Sequence, residues 1–291
     1  MSDELYVWMA YFQDAFTAYL VDAEDFAVGL IVAGIICLFL ERLRPAEKNT
    51  KYFSRDFRKE LGLAVLNALF FLPLLTFLIS ISIIELLKNY VPYQMFDETL
   101  RHLPLALQIL LGLLLVDFST YWRHRFTHNY MWQYHSFHHS AEEITWITSL
   151  RLHPVDYAIA MLVDAMFLYF LGFGGQGIAA ALVIAQVYNY FTHLNLNVQF
   201  KKPLCYVLAS PHYHRWHHAT DKSAYDKNFC GIFSFLDVIF GTYHHPDELP
   251  KGYGLSPRDQ KEVPTGLFAH LIQPVKKDIL KLFRKKSRKK S

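Results

Sequence analysis

Residues Asp117 to His139 read DFSTYWRHRFTHNYMWQYHSFHH. Five of them are histidines, at 124, 128, 135, 138 and 139, spaced HxxxH and then HxxHH. Residues three or four apart on a helix share one face. His124 and His128 are therefore neighbours, and so are His135, His138 and His139. A second HxxHH, made of His214, His217 and His218, stands downstream, and a lone His193 closes the apolar stretch between the two. The run that leads into the first motif, Leu103 to Trp122, carries Asp117 as its one charged residue. An apolar helix thus delivers imidazoles at its end, which predicts membrane helices feeding a histidine-rich cap.

Working outward, the chain is read for further spans. Composition encourages this: 53% of the 291 residues are hydrophobic and 16% aromatic, rich for a soluble domain. Phe26 to Leu40 is a short uncharged run, Leu61 to Ile84 is long enough to cross the ~30 Å hydrocarbon core, and Tyr157–Gly174 and Gly177–Phe191 form a pair. The pair is joined by GFGGQG, a turn signal. Residues 1–25 hold six acidic side chains and no Lys or Arg, whereas residues 41–60 hold seven basic ones. The positive-inside rule then places residues 1–25 outside and the 41–60 loop in the cytoplasm. Nine basic residues among the last sixteen fit a cytoplasmic tail held near anionic lipid. The expected fold is an all-α integral membrane bundle, with five crossings or three plus a re-entrant pair, and a histidine-rich cap on the cytoplasmic face. Residues 1–25 form the outer segment, 26–250 the membrane-embedded domain and 251–291 the tail. No basic region precedes the first apolar run, so no cleaved signal is expected. The basic tail is read as a lipid-headgroup partner, not a nucleic-acid one.

A neutral imidazole offers one nitrogen to a metal and gives the proton on the other to an acceptor. Clusters on separate segments are able to enclose two ions, and they exceed what a tetrahedral zinc requires. Iron, zinc and copper all accept imidazole, so ligand type leaves the metal open. HRFTH lacks the glutamate of the HExxH peptidases. The expected ligands are His124, His128, His135, His138, His139, His193, His214, His217 and His218. Asn189, one turn before His193, is a candidate for an outer, water-bridged role. So is Asp117, which shares the His124 face, and Asp226 is expected to orient a histidine of the last cluster. His102, His153, His244, His245 and His270 are read as structural, and His212 is left undecided. Cys37, Cys205 and Cys230 lie far apart and are read as small apolar fillers.

HRFTH (124–128), HSFHH (135–139) and HRWHH (214–218) together resemble the fatty acid hydroxylase / sterol desaturase superfamily, as do ERLRP, HHSAEEITWITSLRLHP and YDKNFCGIFSFLDVIFGTY. The stretch from His214 to Tyr243 is similar to the branch that holds the alkylglycerol-monooxygenase-like and many bacterial sterol-desaturase-like proteins, while RLHP is more similar to the bacterial members. The resemblance implies two iron ions, O2 as co-substrate and a lipid substrate such as a sterol, fatty acyl chain or ether lipid. It implies hydroxylation or desaturation of a C–H bond. It also implies a separate electron donor of the cytochrome b5, ferredoxin or reductase type. The expected location is a bacterial cytoplasmic membrane or the endoplasmic reticulum, with the active site facing the cytoplasm. The contrasting reading is a metal-binding membrane protein without activity, either a zinc-stabilised scaffold or a transporter. A transporter wants ligands near the bilayer midplane, whereas these gather at one face.

Overall fold

The computed structural model describes residues 28–71, 74, 102–170, 176–257, 259–262 and 266–288. The acidic N-terminal segment, most of the second apolar run and the glycine-rich turn lie outside the described residues. The elements in chain order begin with α1 (28–43) and α2 (Arg55–Leu66), which runs into a π turn at Asn67–Phe71. There follow α3 (Leu105–Tyr130), α4 (Trp132–His139), α5 (Pro154–Phe170) and α6 (Gln176–His193). Last come α7 (Pro211–His217), α8 (Phe235–Ile239), α9 (Asp259–Glu262) and α10 (Leu267–Arg288). Among the described residues the only β pairing is an isolated bridge between Ala219 and Tyr253. The helical expectation holds.

α3 is the axis. Its 26 residues extend about 39 Å at 1.5 Å per residue. The buried residues Gly112, Val116, Asp117, Ser119, Tyr121, His124 and Thr127 recur at three- and four-residue intervals, so one face is covered. The other face exposes Leu107, Leu110, Trp122 and Phe126. α5 and α6 cover the buried face. Gly112 makes this approach possible, since a Cβ there would lie 2.9 Å from the Ala181 Cβ.

Among the described residues, α3 is the one helix long and apolar enough to cross a membrane. α5 has 17 residues. α6 has 18, but Gln186, Asn189, Thr192 and His193 dilute its apolar character. In the described part of the second expected run, α2 passes into the π turn at Asn67, whose Nδ2 donates to the Leu152 carbonyl at 3.0 Å.

Two apolar clusters hold the histidine-bearing elements in place. Cys37, Phe57, Trp146, Ile147, Leu150, Tyr190 and Leu194 join α1, α2 and the end of α6. Tyr121, Ala209, Tyr213, Phe229, Cys230 and Leu236 join α3 to α7 and α8. Between them runs a buried polar seam. Glu41 is fully buried and accepts from the Trp146 and Asn195 backbone N–H groups at 2.8 and 2.9 Å. Arg215, also fully buried, donates to the Asn195 side chain and to the carbonyls of Ile144 and Leu194. These bonds offset part of the cost of burying the two polar side chains. The seam ties the ERLRP segment to the residues just after His193. All three cysteines are buried and free.

Candidate metal centre

α3 ends in the two histidines of the first motif, His124 and His128. At Met131 the backbone leaves the helical region, with φ −130° and ψ 25°, and α4 turns back. The reversal sets His135 Nε2 3.0 Å from His124 Nε2, and His139 Nε2 3.1 Å from His128 Nε2. On a continuous helix those pairs, eleven residues apart, would be separated by about 16 Å of rise. α7 starts at Ser210, whose hydroxyl accepts from Tyr213 N–H, with Pro211 in the first turn where no N–H is needed. Its one-sided HxxHH presents His214, His217 and His218 to α4. α6 supplies His193 from its last residue.

The nine imidazoles converge as two adjacent groups. His124, His128, His135, His139 and His217 form one, and His138, His193, His214 and His218 the other. Within each group the candidate ligand atoms all lie within 4.8 Å of one another. In the second group, His193 Nε2 stands 3.0 Å from His214 Nε2 and 3.4 Å from His138 Nε2, and His218 Nε2 lies 3.2 Å from His214 Nε2.

Outer partners decide what these close approaches mean. A carbonyl only accepts, so a ring nitrogen bonded to one carries the proton. His124 Nδ1 donates to Phe229 O at 2.9 Å, His193 Nδ1 to Asn189 O at 2.8 Å, and His217 Nδ1 to Lys227 O at 2.8 Å. The Nε2 atoms of these neutral rings therefore bear bare lone pairs, aimed inward at other imidazoles. Converging lone pairs repel unless a cation sits among them. Buried imidazole sets with outer acceptors fit metal ions.

Asn189 contributes its backbone carbonyl to His193. That role does not depend on the side chain, in contrast to the water-bridged part expected of it. Asp226 Oδ1 lies 3.5 Å from His128 Nδ1, so it faces the first motif and not the last cluster. Among the described residues Asp117 bonds to no histidine. Its carboxylate accepts from the backbone N–H groups of Gly231, Ile232 and Phe233 at 2.8, 3.0 and 2.6 Å. A Cβ at position 231 would come 3.1 Å from its Oδ1, which suits glycine there. Asp117 thus fixes the loop whose Phe229 carbonyl meets His124.

Two acids were not anticipated. Asp156, buried at the start of α5, has Oδ2 3.4 Å from His135 Nδ1. Its sequence signal was weak, a lone acid in RLHPVD. Asp237 accepts from Phe229 N, Cys230 N, the Tyr213 hydroxyl and the Thr242 hydroxyl. Nothing in its spacing marks that role.

His153 and His212 bond to backbone groups away from the centre. His153 accepts from Val155 N–H at Nδ1 and donates from Nε2 to Leu271 O. His212 Nε2 donates to Pro246 O at 2.7 Å, outside both groups. A cavity of about 220 Å³ opens beside the five-histidine group, lined by His128, Trp132, His139, His217, Tyr225 and Asp226 among others.

Burial is the leading reason that the clustered rings stay neutral. His193 is pushed down to about 3 and His217 to about 4. His138, His139, His214 and His218 fall well below the ordinary 6.5, with neighbouring imidazoles adding to burial. Because folding depresses these values, the unfolded chain binds protons first as pH drops. Their contribution to stability is fully present above 6.5 and is lost as pH falls through about 4 for His217 and about 3 for His193. The thermal midpoint of the metal-free protein is expected to be flat above pH 7 and to fall steadily below pH 6.5. A midpoint unchanged down to pH 4.5 would contradict this ordering.

Residues 109–242 match the family model described as Fatty acid hydroxylase, a segment that contains all nine clustered histidines. An ornithine lipid hydroxylase of Rhizobium tropici is 28% identical over 59% of this chain and 51% of its own length. The human alkylglycerol monooxygenase is 31% identical over 46% of this chain and 30% of its own. A very-long-chain aldehyde decarbonylase of Oryza sativa subsp. indica is 29% identical over 44% of this chain and 22% of its own. The matches thus span about half of the first relative's length and less of the others. No solved structure matches the chain.

Proposed function

We propose that this chain, a member of the fatty acid hydroxylase / sterol desaturase superfamily, is a membrane-bound, O2-dependent, non-haem di-iron oxidoreductase. It hydroxylates an unactivated C–H bond of a lipid, and its electrons come from a separate donor protein. The carrying observation is the convergence of nine buried imidazoles in groups of five and four, their ε-nitrogens turned inward. Two adjacent groups call for two ions. That the two relatives named as acting on polar lipids are a hydroxylase and a monooxygenase supports the substrate class and reaction.

The proposed ligands are those nine histidines. Bound iron would supply O2 activation and hydrogen-atom abstraction, chemistry no side chain here performs. The chain's own work is placement. The carbonyls of Phe229, Asn189 and Lys227 hold the protons of His124, His193 and His217 on Nδ1, leaving Nε2 to ligate. Burial keeps the rings neutral, so ligation displaces few protons. The Trp132 ring lies tilted against both His128 and His139, with centroids 5.2 Å from each, and walls the cavity beside them.

The membrane assignment draws on the apolar surface. α1 exposes Ile31, Ile35 and Phe39, α3 exposes Leu107 and Leu110, and α6 exposes Val183 and Val187. Stripes of branched aliphatics on three helices exceed what a soluble monomer leaves uncovered. Residues 26–250 are accordingly read as the membrane-embedded unit. Residues 1–25 lie outside, and the cap and tail face the cytoplasm. Phe268 and Ile272 of α10, also exposed, suit a helix resting at the interface.

The test is lipid profiling of cells with and without the protein under air. A new lipid species heavier by one oxygen atom is the expected result. A product lighter by two hydrogens would assign desaturation to the same centre. Unchanged lipids together with one tightly held zinc would favour a scaffold instead.

A further inference from the structure

The two histidine groups differ in more than number. In the five-histidine group, two rings face carboxylates on their outer nitrogens. His135 faces the buried Asp156 at 3.4 Å, and His128 faces the exposed Asp226 at 3.5 Å. In the four-histidine group no carboxylate stands behind a ring among the described residues. His193 leans on the neutral Asn189 carbonyl, and the buried Nδ1 atoms of His214 and His218 have no partner. A carboxylate behind an imidazole makes the inner nitrogen a stronger donor and fixes the ring's direction.

We propose that the centre is built asymmetrically, with the five-histidine group as the tighter, first-filled metal site and Asp156 as the positioning residue that makes it so. This rests on the reading of the nest as a two-metal centre. It goes beyond that reading by ordering the two sites. Asp156 is one of the side chains that the fold, not the motifs, brings to the histidines. It enters from the first turn of α5. The Asp226 backbone has φ +56°, an uncommon conformation for a residue other than glycine, and its carboxylate is turned toward His128.

The full chain, purified in detergent and stripped with chelator, is titrated with Co(II) against a competing chelator. The d–d absorption of cobalt reports coordination directly, without turnover. Wild type is expected to bind two equivalents in two steps, with affinities about tenfold or more apart. His128→Ala removes the tight step and His214→Ala removes the weak one. Asp156→Asn is nearly the same size but uncharged. It is expected to weaken the first step by about ten- to a hundredfold and leave the second unchanged. A merely structural role for Asp156 would move both steps together.

Should Asp156→Asn fail to fold, Asp226→Asn provides the second arm, because Asn tolerates the same backbone conformation. It is expected to weaken the first step alone, by less, since Asp226 is 65% exposed. Two steps of equal affinity in wild type overturn the proposal. So does loss of the tight step in His214→Ala, or an unaltered first step in Asp156→Asn. A wild-type chain that takes up no cobalt overturns the two-metal reading itself, and that result is distinct from any of these.

Discussion

Replacing His138 with alanine is expected to abolish turnover while leaving about one metal ion bound per chain. His138 belongs to the four-histidine group, where its Nε2 lies 3.4 Å from that of His193. Truncation leaves three rings facing a buried gap. The five-histidine group keeps all its members, so its ion stays. Oxidation at a two-metal centre needs both ions. Product formation should therefore drop by about a hundredfold or more, while bound iron roughly halves. Iron analysis of the purified variant, beside mass spectrometry of its lipid product, checks both numbers. Full activity with His138→Ala would remove the basis for the di-iron reading. Loss of both ions would show instead that the two groups do not hold metal independently.

Asp237→Ala is expected to have the largest effect on stability. The side chain is fully buried and accepts four bonds: from Phe229 N at 2.8 Å, Cys230 N at 2.9 Å, Tyr213 Oη at 2.6 Å and Thr242 Oγ1 at 2.6 Å. Alanine strands the Phe229 and Cys230 N–H groups in a dry interior and leaves the Thr242 and Tyr213 hydroxyls only the Tyr121 hydroxyl and the Cys230 sulfur as partners. Each stranded donor costs about 1–3 kcal/mol, and such losses are not additive, so a total of about 3–5 kcal/mol is expected. The consequence reaches the metal centre through the backbone. Loop 227–233 is held by Asp237 from one side and by Asp117 from the other. That loop carries the Phe229 and Lys227 carbonyls that set His124 and His217. The variant should unfold at a much lower temperature and lose metal from the five-histidine group first. Asp237→Asn should fall between the two, since an amide oxygen still accepts but cannot serve all four donors. Wild-type thermal stability in Asp237→Ala would refute the clamp.

Eight of the nine converging imidazoles were legible in the sequence because helical spacing puts HxxxH and HxxHH on one face whatever surrounds them, and His193 by its place at the end of an apolar run. The carboxylates were less so. Asp117 was flagged by position, an acid in an apolar helix, yet its three bonds go to backbone N–H groups from a loop more than a hundred residues away. Asn189 was flagged by its side chain, whereas the contact uses its carbonyl, which any residue possesses. Asp156 and Asp237 were missed because no local pattern distinguishes an acid that closes a long-range bond. Uncharged runs look alike in sequence, and among the described residues only α3 combines the length and the apolar character of a span.

Sequence alone determined the helical class and the nine imidazoles, because both follow from short-range periodicity and from the chemistry of one residue type. Only the tertiary structure decided how those rings divide into five and four. The division depends on the chain reversal at Met131, which brings together nitrogens that a straight helix would hold about 16 Å apart. Residues 128 to 132, HNYMW, contain neither proline nor glycine to announce a break. The reversal is set by packing of α4 against α3 and α5, an energy summed over distant residues that local spacing does not encode.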